Sequence, residues 1–533
     1  MTDGAVAADV PEEGAGNNRL ALLLAAAMFV LVVDTSLMNV SISYVVHDLH
    51  TTVSGVQSTI ALEALVSAAF ILIGSKVGDL IGRKKAYVLG LLAYALGALS
   101  MVLAQSLTPI IIFWAVIGGL GASLLLPAMQ SLIHGNFTGA AQKRAYALVG
   151  ASAAIAAAVG PLLGGFITTY LSWRIGFLLE DVVIVVVLSG IKLVRDAPYT
   201  GPPGVDWIGA GLSVVGMGGI VISILVWQEG GESVGALLLL GGIAMSAFIW
   251  WIARRKRRGE IPLIDPDLFS SPPFRLGISQ QMMQQIALGG AMIALPIYLQ
   301  MVFEYSAMQA GLSLAPLSLT MFATALLAGR KAGDRRPSSL VRIGFALLLV
   351  GFVALVPIVP RADSGWYLVV PLMIAGCGLG LLVSQLNNYT LAPISEERVS
   401  EAAGVNSACG SFGLSFGLAF AGAIMLATLS FTFTNMANDS TVLTPAEQQR
   451  VGDVLEHDAQ VMRNSELQKQ IAEYPPATQQ EILDINTDAR HIALQVALLV
   501  PILAALVGLF NSFRMIRMPE PIPSSDIEGV ALG

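Results

Sequence analysis

The feature that most constrains this chain is a series of apolar blocks with hardly any charge, each about 20 residues long. A helix of that length crosses about 30 Å of hydrocarbon, so each block has the length of a transmembrane helix. The 533 residues are 55% hydrophobic and only 12% charged, which is about half the charged fraction of a soluble globular protein. A soluble fold would need one very large core, whereas chains of this size divide into smaller domains. The pattern predicts an all-α polytopic membrane protein.

Fourteen such blocks follow one another along the sequence. The fifth and sixth blocks are closely spaced, so the boundary between them is the one that the pattern defines least well. The approximate ranges are 20–43, 53–73, 86–104, 109–132, 145–170, 175–194, 206–227, 234–253, 277–302, 307–328, 341–359, 366–388, 402–430 and 492–514.

Lysine and arginine are concentrated in alternate short loops between these blocks. Cytoplasmic loops of membrane proteins carry such an excess of basic residues. The intervening short loops hold only Arg174 and Arg361, so both termini are predicted to be cytoplasmic. The basic run at 254–258 is expected to anchor its helix at the anionic lipids of the inner leaflet.

One connection, residues 431–491, is long and acidic and is predicted to lie on the outer face. It contains two helix-start patterns of the capping-box type, at 444–447 and 478–481. These patterns predict a helical hairpin or two surface helices. A lid or spacer is the first interpretation of this segment, and a partner-binding surface is the alternative.

The chain also carries an internal repeat. Residues 74–85 follow the second block and a degenerate copy at 329–336 follows the tenth, each with Gly-Asp before basic residues. Many secondary transporters are built from such repeats. The predicted organisation is a cytoplasmic tail at 1–19, an N-terminal six-helix half at 20–195, two inserted peripheral helices at 196–260, a C-terminal six-helix half at 261–515 that includes the outer connection, and a cytoplasmic tail at 516–533.

The loop after the second block resembles the signature loop of the major facilitator superfamily. Its matching residues are Gly78, Asp79, Gly82, Arg83 and Lys84. Asp334 holds the acidic position in the second copy, while Ser75 and Leu80 depart from the family pattern. In this family such loops latch the cytoplasmic side in one conformation, so the resemblance implies a cytoplasmic gate loop here.

Two further patterns are similar to those of the fourteen-span drug:proton antiporter family within that superfamily. The first block holds Asp34 and Asn39 in an Asp-x-Thr…Asn-Val pattern. The fifth block resembles the antiporter motif through Gly150, Gly160, Pro161, Gly164 and Gly165. Because glycines allow close helix approach and proline permits a bend, this segment is expected to act as a hinge and sealing surface. The resemblance covers residues 20–515 approximately and implies the major facilitator fold, with fourteen spans.

Departures from the family pattern concern proton coupling. The fourth block has Ala115 and Gly118 where the resemblance implies an arginine and a glutamine. Conversely, the second block has Glu63 where relatives carry an uncharged aromatic residue. These differences leave the coupling mechanism open.

Asp34 and Glu63 are the predicted proton-coupling or cation-binding residues. A carboxylate near the bilayer centre costs about 2.5–3.5 kcal/mol on insertion scales, so its presence there indicates a function. Both residues fall near the middle of their blocks, and the two antiparallel helices can direct them into one cavity. The structural alternative is a neutral acid that is hydrogen-bonded to the backbone or to Asn39. By contrast, Glu180 and Asp181 are interpreted as interfacial acids at the outer start of the sixth block, where a helix N-terminus favours them.

The ninth block opens with four glutamines that share one sector of a helix. Amides on this face would stay unpaired in lipid, so the face is expected to contact a cavity or other helices. The predicted substrate-path residues are Asn39, Gln280, Gln281, Gln284 and Gln285. Interhelical hydrogen bonding is the alternative.

The sequence therefore predicts a secondary transporter, not an enzyme, which exports lipophilic compounds, cations foremost, in exchange for protons by alternating access. No phosphate-binding Gly-x-x-x-x-Gly-Lys loop is present, so the proton gradient rather than ATP is the expected energy source, with no cofactor, no metal and no nucleic acid. Protons, a small lipophilic substrate and membrane lipids are the expected partners, in the cytoplasmic membrane, and a monomer is expected. One alternative is export of a lipid, an amphipathic metabolite or a self-made antibiotic with atypical coupling. The other is a non-transporting membrane scaffold or sensor.

Overall fold

The computed structural model describes residues 18–137, 139–196, 204–228, 231, 233–330, 336–394, 398–444, 448, 467–469 and 471–518. Every regular element within these ranges is helical. The principal helices are α1 (Asn18–Leu49), α2 (Val53–Ile81), α3 (Arg83–Leu103), α4 (a turn at Leu107–Pro109, a π-helix at Ile110–Gly118 and an α-helix at Gly119–Asn136), α5 (Gly139–Tyr170), α6 (Trp173–Ser189), α7 (Trp207–Gln228), α8 (Val234–Arg257), α9 (Pro272–Met301), α10 (Ala307–Arg330), α11 (Pro337–Ile358), α12 (Val369–Leu391), α13 (Val399–Asp439), α14 (Pro476–Ala497) and α15 (Leu499–Ile516).

The helices have the lengths and composition of membrane spans. Thirteen helical stretches in the described ranges are long and apolar enough to cross a bilayer, with α14 and α15 forming one of them. The remaining predicted span, the sixth, corresponds to α6, which has 17 residues. The break between the fifth and sixth blocks lies at residues 171–172, where the Ser172 hydroxyl accepts a hydrogen bond from the Arg174 N–H and caps α6. The all-α polytopic architecture is thus confirmed, while the count of fourteen spans and the cytoplasmic termini stay predictions.

The helices pack as two groups. In the first, α1 packs against α5 and α6, and α3 against α4 and α6. In the second, α9 packs against α13 and α15, α10 against α12, and α11 against α12 and α15. The groups meet along two long seams, α2 with α13 and α5 with α10. This arrangement provides two bundles that can rock against each other about a shared centre.

The inserted pair α7 and α8 is held together by Asp206, which directly precedes α7. The buried carboxylate accepts hydrogen bonds from Trp251 Nε1 at 3.0 Å and from the Gly209 N–H at 3.0 Å, and it pairs with Arg255 at 3.3 Å. Whereas α8 presents most of its surface outward, α7 also packs against α2 and α13. α7 therefore lies beside one of the two seams between the bundles.

The predicted outer connection, 431–491, contains the end of α13 and most of α14. α13 continues to Asp439, and its 41 residues extend about 60 Å, twice the thickness of the hydrocarbon core. α14 begins at Pro476 and packs against α13. Both ends of this connection are therefore helical, and α13 and α14 continue across its predicted bounds, because hydropathy marks where a helix leaves the membrane rather than where it stops.

Of the two predicted helix starts in this connection, Thr478 is not the N-cap. It is buried within the first turn of α14, which starts two residues earlier. The other pattern, at 444–447, lies mostly outside the described residues. The Ser440 hydroxyl donates a hydrogen bond to Glu481 at 2.6 Å, which joins the end of α13 to α14.

Candidate functional site

Asp34 is the centre of a buried polar site in the first bundle. It is the seventeenth of 32 residues in α1 and its side chain is only 1% exposed. The Tyr94 hydroxyl, on α3, donates a short hydrogen bond to Asp34 Oδ2. Trp114 Nε1, on α4, donates to both carboxylate oxygens, at 3.2 and 3.1 Å. Two donors from two other helices thus fix this carboxylate in place.

Trp114 lies in the π-helical stretch of α4. π-Helical turns are rare and occur frequently at functional sites. A Cβ placed on Gly97 of α3 would lie 3.2 Å from Trp114 Cα and 3.1 Å from the Phe113 carbonyl oxygen, so a glycine is needed for this close approach. Neither Tyr94 nor Trp114 was identified from the sequence. The signal that could have found them is a polar-tipped aromatic residue deep within an apolar block.

Glu63 lies on α2, eleventh of its 29 residues, and is partly buried. Its carboxylate makes no hydrogen bond or ion pair within the described part of the chain, and it lies within electrostatic range of Asp34. The structure therefore brings Asp34 and Glu63 together on neighbouring helices. Their roles as coupling residues stay a prediction.

A third carboxylate, Glu180, joins this site and corrects the sequence interpretation. It is the eighth residue of α6, about 10 Å along the helix from its start, and not an interfacial acid at the outer end. Its side chain is 4% exposed, and both carboxylate oxygens lack a hydrogen-bond partner among the described residues. The carboxylates of Asp34 and Asp181 both act on it electrostatically.

The charged side chains at this site, among the described residues, are all acidic. The charged side chains that act on Asp34, Glu63 and Glu180 include no lysine, arginine or histidine in the described ranges. Buried charges in proteins are ordinarily paired or neutralised. The site can therefore hold protons or attract a cation, and it has no built-in counter-ion to compete with either.

Asn39 lies one and a half turns beyond Asp34 on α1. Both polar atoms of its amide are buried and unpartnered within the described residues. Next to it, Gln300 Nε2 of α9 donates to the Val40 carbonyl at 3.1 Å, which ties the two bundles together. Asn39 is thus a buried amide with free hydrogen-bonding capacity beside the junction of the bundles.

Three of the four glutamines of α9 contact two neighbouring helices, α15 and α13. Gln280 is fully buried and its Nε2 donates to the Gly508 carbonyl of α15 at 2.9 Å. Gln284 is also buried, with an unpartnered Oε1. Gln281 and Gln285 instead lie against Gly410 of α13. Gln280 therefore takes part in the helix-to-helix contact that was the alternative to a substrate path.

The signature loop is held within its own bundle. Arg83 Nε donates to Asp79 Oδ1 at 3.1 Å. Gly82 adopts φ +100°, which favours glycine, and Asp196 beyond α6 accepts from the Lys84 N–H at 3.1 Å. Gly78 approaches Ala86 of α3. Residues 331–335 of the second copy of the loop, with Asp334, lie outside the described residues.

The antiporter motif lines the seam between α5 and two other helices. Gly160 and Gly164 pack against Ser36 and Leu37 of α1, directly beyond Asp34. A Cβ on Gly165 would lie 2.6 Å from the Ala307 carbonyl oxygen of α10. Pro161 contacts the same helix at Gly311, whereas Gly150 has open space around it. The motif thus places α5 between the carboxylate site and the second bundle.

No group of three or more histidine, cysteine or acidic side chains that could hold a metal occurs in the ranges the structure describes. Cys377 and Cys409 are free thiols.

Comparisons with known proteins agree with this architecture. A family model described as Major Facilitator Superfamily matches residues 24–418. The chain is 24% identical over 416 residues to a protein named "Probable actinorhodin transporter" from Streptomyces coelicolor, covering 76% of this chain and 72% of that protein. It is 27% identical over 437 residues to the drug efflux pump JefA of Mycobacterium tuberculosis, covering 80% and 84% respectively.

Among solved structures, the fold is similar to that of a bacterial homolog to the human lysosomal transporter Spinster. The TM-score is 0.60 with 13% sequence identity, covering 93% of this chain and 96% of that one. At this identity the similarity concerns the fold alone.

Proposed function

The chain belongs to the major facilitator superfamily, and on that premise we propose that it exports lipophilic compounds, cations foremost, across the cytoplasmic membrane in exchange for protons. The observation that carries the proposal is the cluster of Asp34, Glu63 and Glu180, which lies deep in the first bundle without a basic partner in the described ranges.

The free energy cost of burying charged carboxylates favours exchange of a proton for a cation at the cluster over permanent binding of either one. Each membrane-buried carboxylate costs about 2.5–3.5 kcal/mol on insertion scales unless it is neutralised. A bound proton removes that charge, and a bound lipophilic cation compensates it. Because the same carboxylates serve both ligands, the arrival of a cation favours release of a proton, which is the requirement for antiport.

The seams between the bundles provide the movement. Glycine-lined contacts along α5 and α10 allow rigid helices to slide or rotate with little side-chain rearrangement. Since Gly160 and Gly164 also contact α1 directly beyond Asp34, a change of charge at Asp34 acts on the helix that borders the second bundle. In this proposal the alternating-access step is coupled to the carboxylates through α1 and α5.

A second candidate function is export of an amphipathic metabolite or a self-made antibiotic. It is supported by the similarity to the protein named "Probable actinorhodin transporter" and by Ala115 and Gly118 in α4, where relatives are expected to carry polar coupling residues. The fold and the cluster would be the same, but the cargo would not need a positive charge.

The test is ethidium accumulation in proteoliposomes with an imposed pH gradient, acid inside. We expect the wild type to accumulate ethidium and Asp34→Asn and Glu63→Gln to lose that accumulation. Asp363→Asn, an acid-to-amide change at an exposed position, is the matched control and is expected to transport as the wild type does. Accumulation that persists in both site variants would contradict the proposal. A wild type that transports only uncharged amphiphiles would favour the second candidate.

A further inference from the structure

We propose that Glu180 is a second proton-binding site, behind Asp34, which releases its proton when a cationic substrate reaches the carboxylate cluster. This inference rests on the proposed function and adds to it a residue on α6, a helix outside the seams between the bundles.

The register of α6 against α1 places the two carboxylates at the same depth. The helices are antiparallel neighbours, and two close contacts fix their alignment: Gly176 packs directly on Leu37, and Gly190 packs directly on Leu23. The contact moves fourteen residues forward along α6 while it moves fourteen residues back along α1. In this register Glu180 is level with Val33, the residue before Asp34.

Aromatic side chains complete the connection between Glu180 and Asp34. Phe177, one turn before Glu180 on α6, meets the Trp114 ring edge-on with centroids 6.4 Å apart. The same Trp114 donates to Asp34, and the Tyr94 hydroxyl that also donates to Asp34 lies within electrostatic range of Glu180. The two acids therefore border one compact group of side chains.

Glu180 has no structural partner that would explain a buried acid. Its two oxygens are enclosed and unbonded, and no basic group acts on it in the described ranges. Every titratable side chain that faces it is acidic or phenolic: Asp34 from α1, Tyr94 from α3 and Asp181 from its own helix. A buried polar group without a partner requires an explanation, and an ionisable one in a membrane is a functional candidate.

The charges at the site determine when the Glu180 carboxyl binds and releases its proton. With the site empty of cation, like charges this close in a dry environment oppose each other, so protons occupy the cluster. When a cation approaches Asp34, its field favours the anionic form of both carboxylates. The proton leaves the Glu180 carboxyl as H⁺ and the carboxylate remains, with no other bond made or broken.

The experiment counts protons released per bound cation. Tetraphenylphosphonium is added to the purified full-length protein in weakly buffered detergent solution with a pH indicator, and its binding is measured in parallel. We expect Glu180→Gln to release one proton fewer per bound cation than the wild type. Glu473→Gln, the same substitution at an exposed position, is the matched control and is expected to release the wild-type number.

The possible results separate this inference from the proposed function. A wild type that binds the cation without releasing protons would overturn the proposed coupling itself. Proton release that is equal in wild type and Glu180→Gln would overturn only the role of Glu180. An equal decrease in Glu180→Gln and Glu473→Gln would also overturn it, because loss of any glutamate would then have the same effect.

If Glu180→Gln does not fold, infrared spectroscopy of an isotope-labelled protein tests the same proposal. With Glu63 replaced, Glu180 is the only buried glutamate among the described residues. In a Glu63→Gln protein labelled with carboxyl-¹³C glutamate, the infrared difference on adding tetraphenylphosphonium is expected to contain the loss of an isotope-shifted carboxylic acid band. Absence of that band, with binding intact, would overturn the proposal.

Discussion

Replacing Trp114 by phenylalanine removes one hydrogen-bond donor from Asp34 and leaves most of the packing in place. The indole Nε1 lies 3.1 and 3.2 Å from the two carboxylate oxygens. The ring also packs edge-on against Phe177, and a phenyl ring can retain part of that contact. The substitution therefore tests the hydrogen bond more than the volume of the side chain.

The size of the effect follows from the charge of the acceptor. A hydrogen bond to a charged group contributes about 1.5–3 kcal/mol. The donor stabilises the anionic carboxylate, which is the form that binds a cation. Since about 1.4 kcal/mol corresponds to a factor of ten, the dissociation constant for tetraphenylphosphonium is expected to rise by about tenfold to a hundredfold in Trp114→Phe.

The matched control is Trp173→Phe. Trp173 Nε1 donates to Asp48 at 3.0 Å and not to the cluster, while its ring also packs edge-on against Phe177, with centroids 6.1 Å apart. Equilibrium binding of the labelled cation to both purified variants is the assay, with the thermal stability of each recorded. Unchanged affinity in Trp114→Phe would refute the reasoning. So would an equal loss in Trp173→Phe, because the effect would then come from general loosening of the bundle.

Three further predictions concern the seams and the inserted helices. Gly165→Val is expected to abolish ethidium transport in proteoliposomes while the protein still folds, because its Cβ would press on the Ala307 carbonyl of α10. Asp206→Ala is expected to destabilise the purified protein by about 3 kcal/mol, seen as a lower melting temperature, because it removes the acceptor of Trp251 Nε1, the Gly209 N–H and the Leu263 N–H. Burial raises the pKa of Asp265, but the Lys256 hydrogen bond and nearby positive charges outweigh it and hold the pKa below its ordinary value. The ionised Asp265 carboxylate therefore stabilises the folded protein above about pH 4, and this contribution is lost as the pH falls further. The melting temperatures of wild type and Asp265→Asn should differ at neutral pH and converge in acid.

The membrane architecture was predictable because hydrophobic length is a strong and local signal. Asp34 and Glu63 stood out for the same reason, since a carboxylate in the middle of an apolar block is rare. Their actual partners were not predictable. Tyr94 and Trp114 are aromatic residues in apolar blocks, and only the packing of α3 and α4 decides whether such a residue faces lipid, core or carboxylate.

Glu180 was misjudged through a boundary error of a few residues. The sequence interpretation placed the start of the sixth span close to this acid, whereas the Ser172 cap starts α6 earlier and moves Glu180 to mid-helix. A capping serine before Trp173 was visible in the sequence and could have given the correct start. For Gln280, the periodicity indicated a face hidden from lipid but could not say which neighbour covers it.

The central claim is that cation export and proton entry are coupled at the carboxylate cluster. The most direct test uses inside-out membrane vesicles loaded with a pH dye, with no initial pH gradient, to which ethidium is added. The account predicts that the lumen becomes alkaline as ethidium enters, and that this signal is lost in Asp34→Asn but kept in Asp363→Asn. Ethidium entry without any change in lumenal pH in the wild type would contradict it.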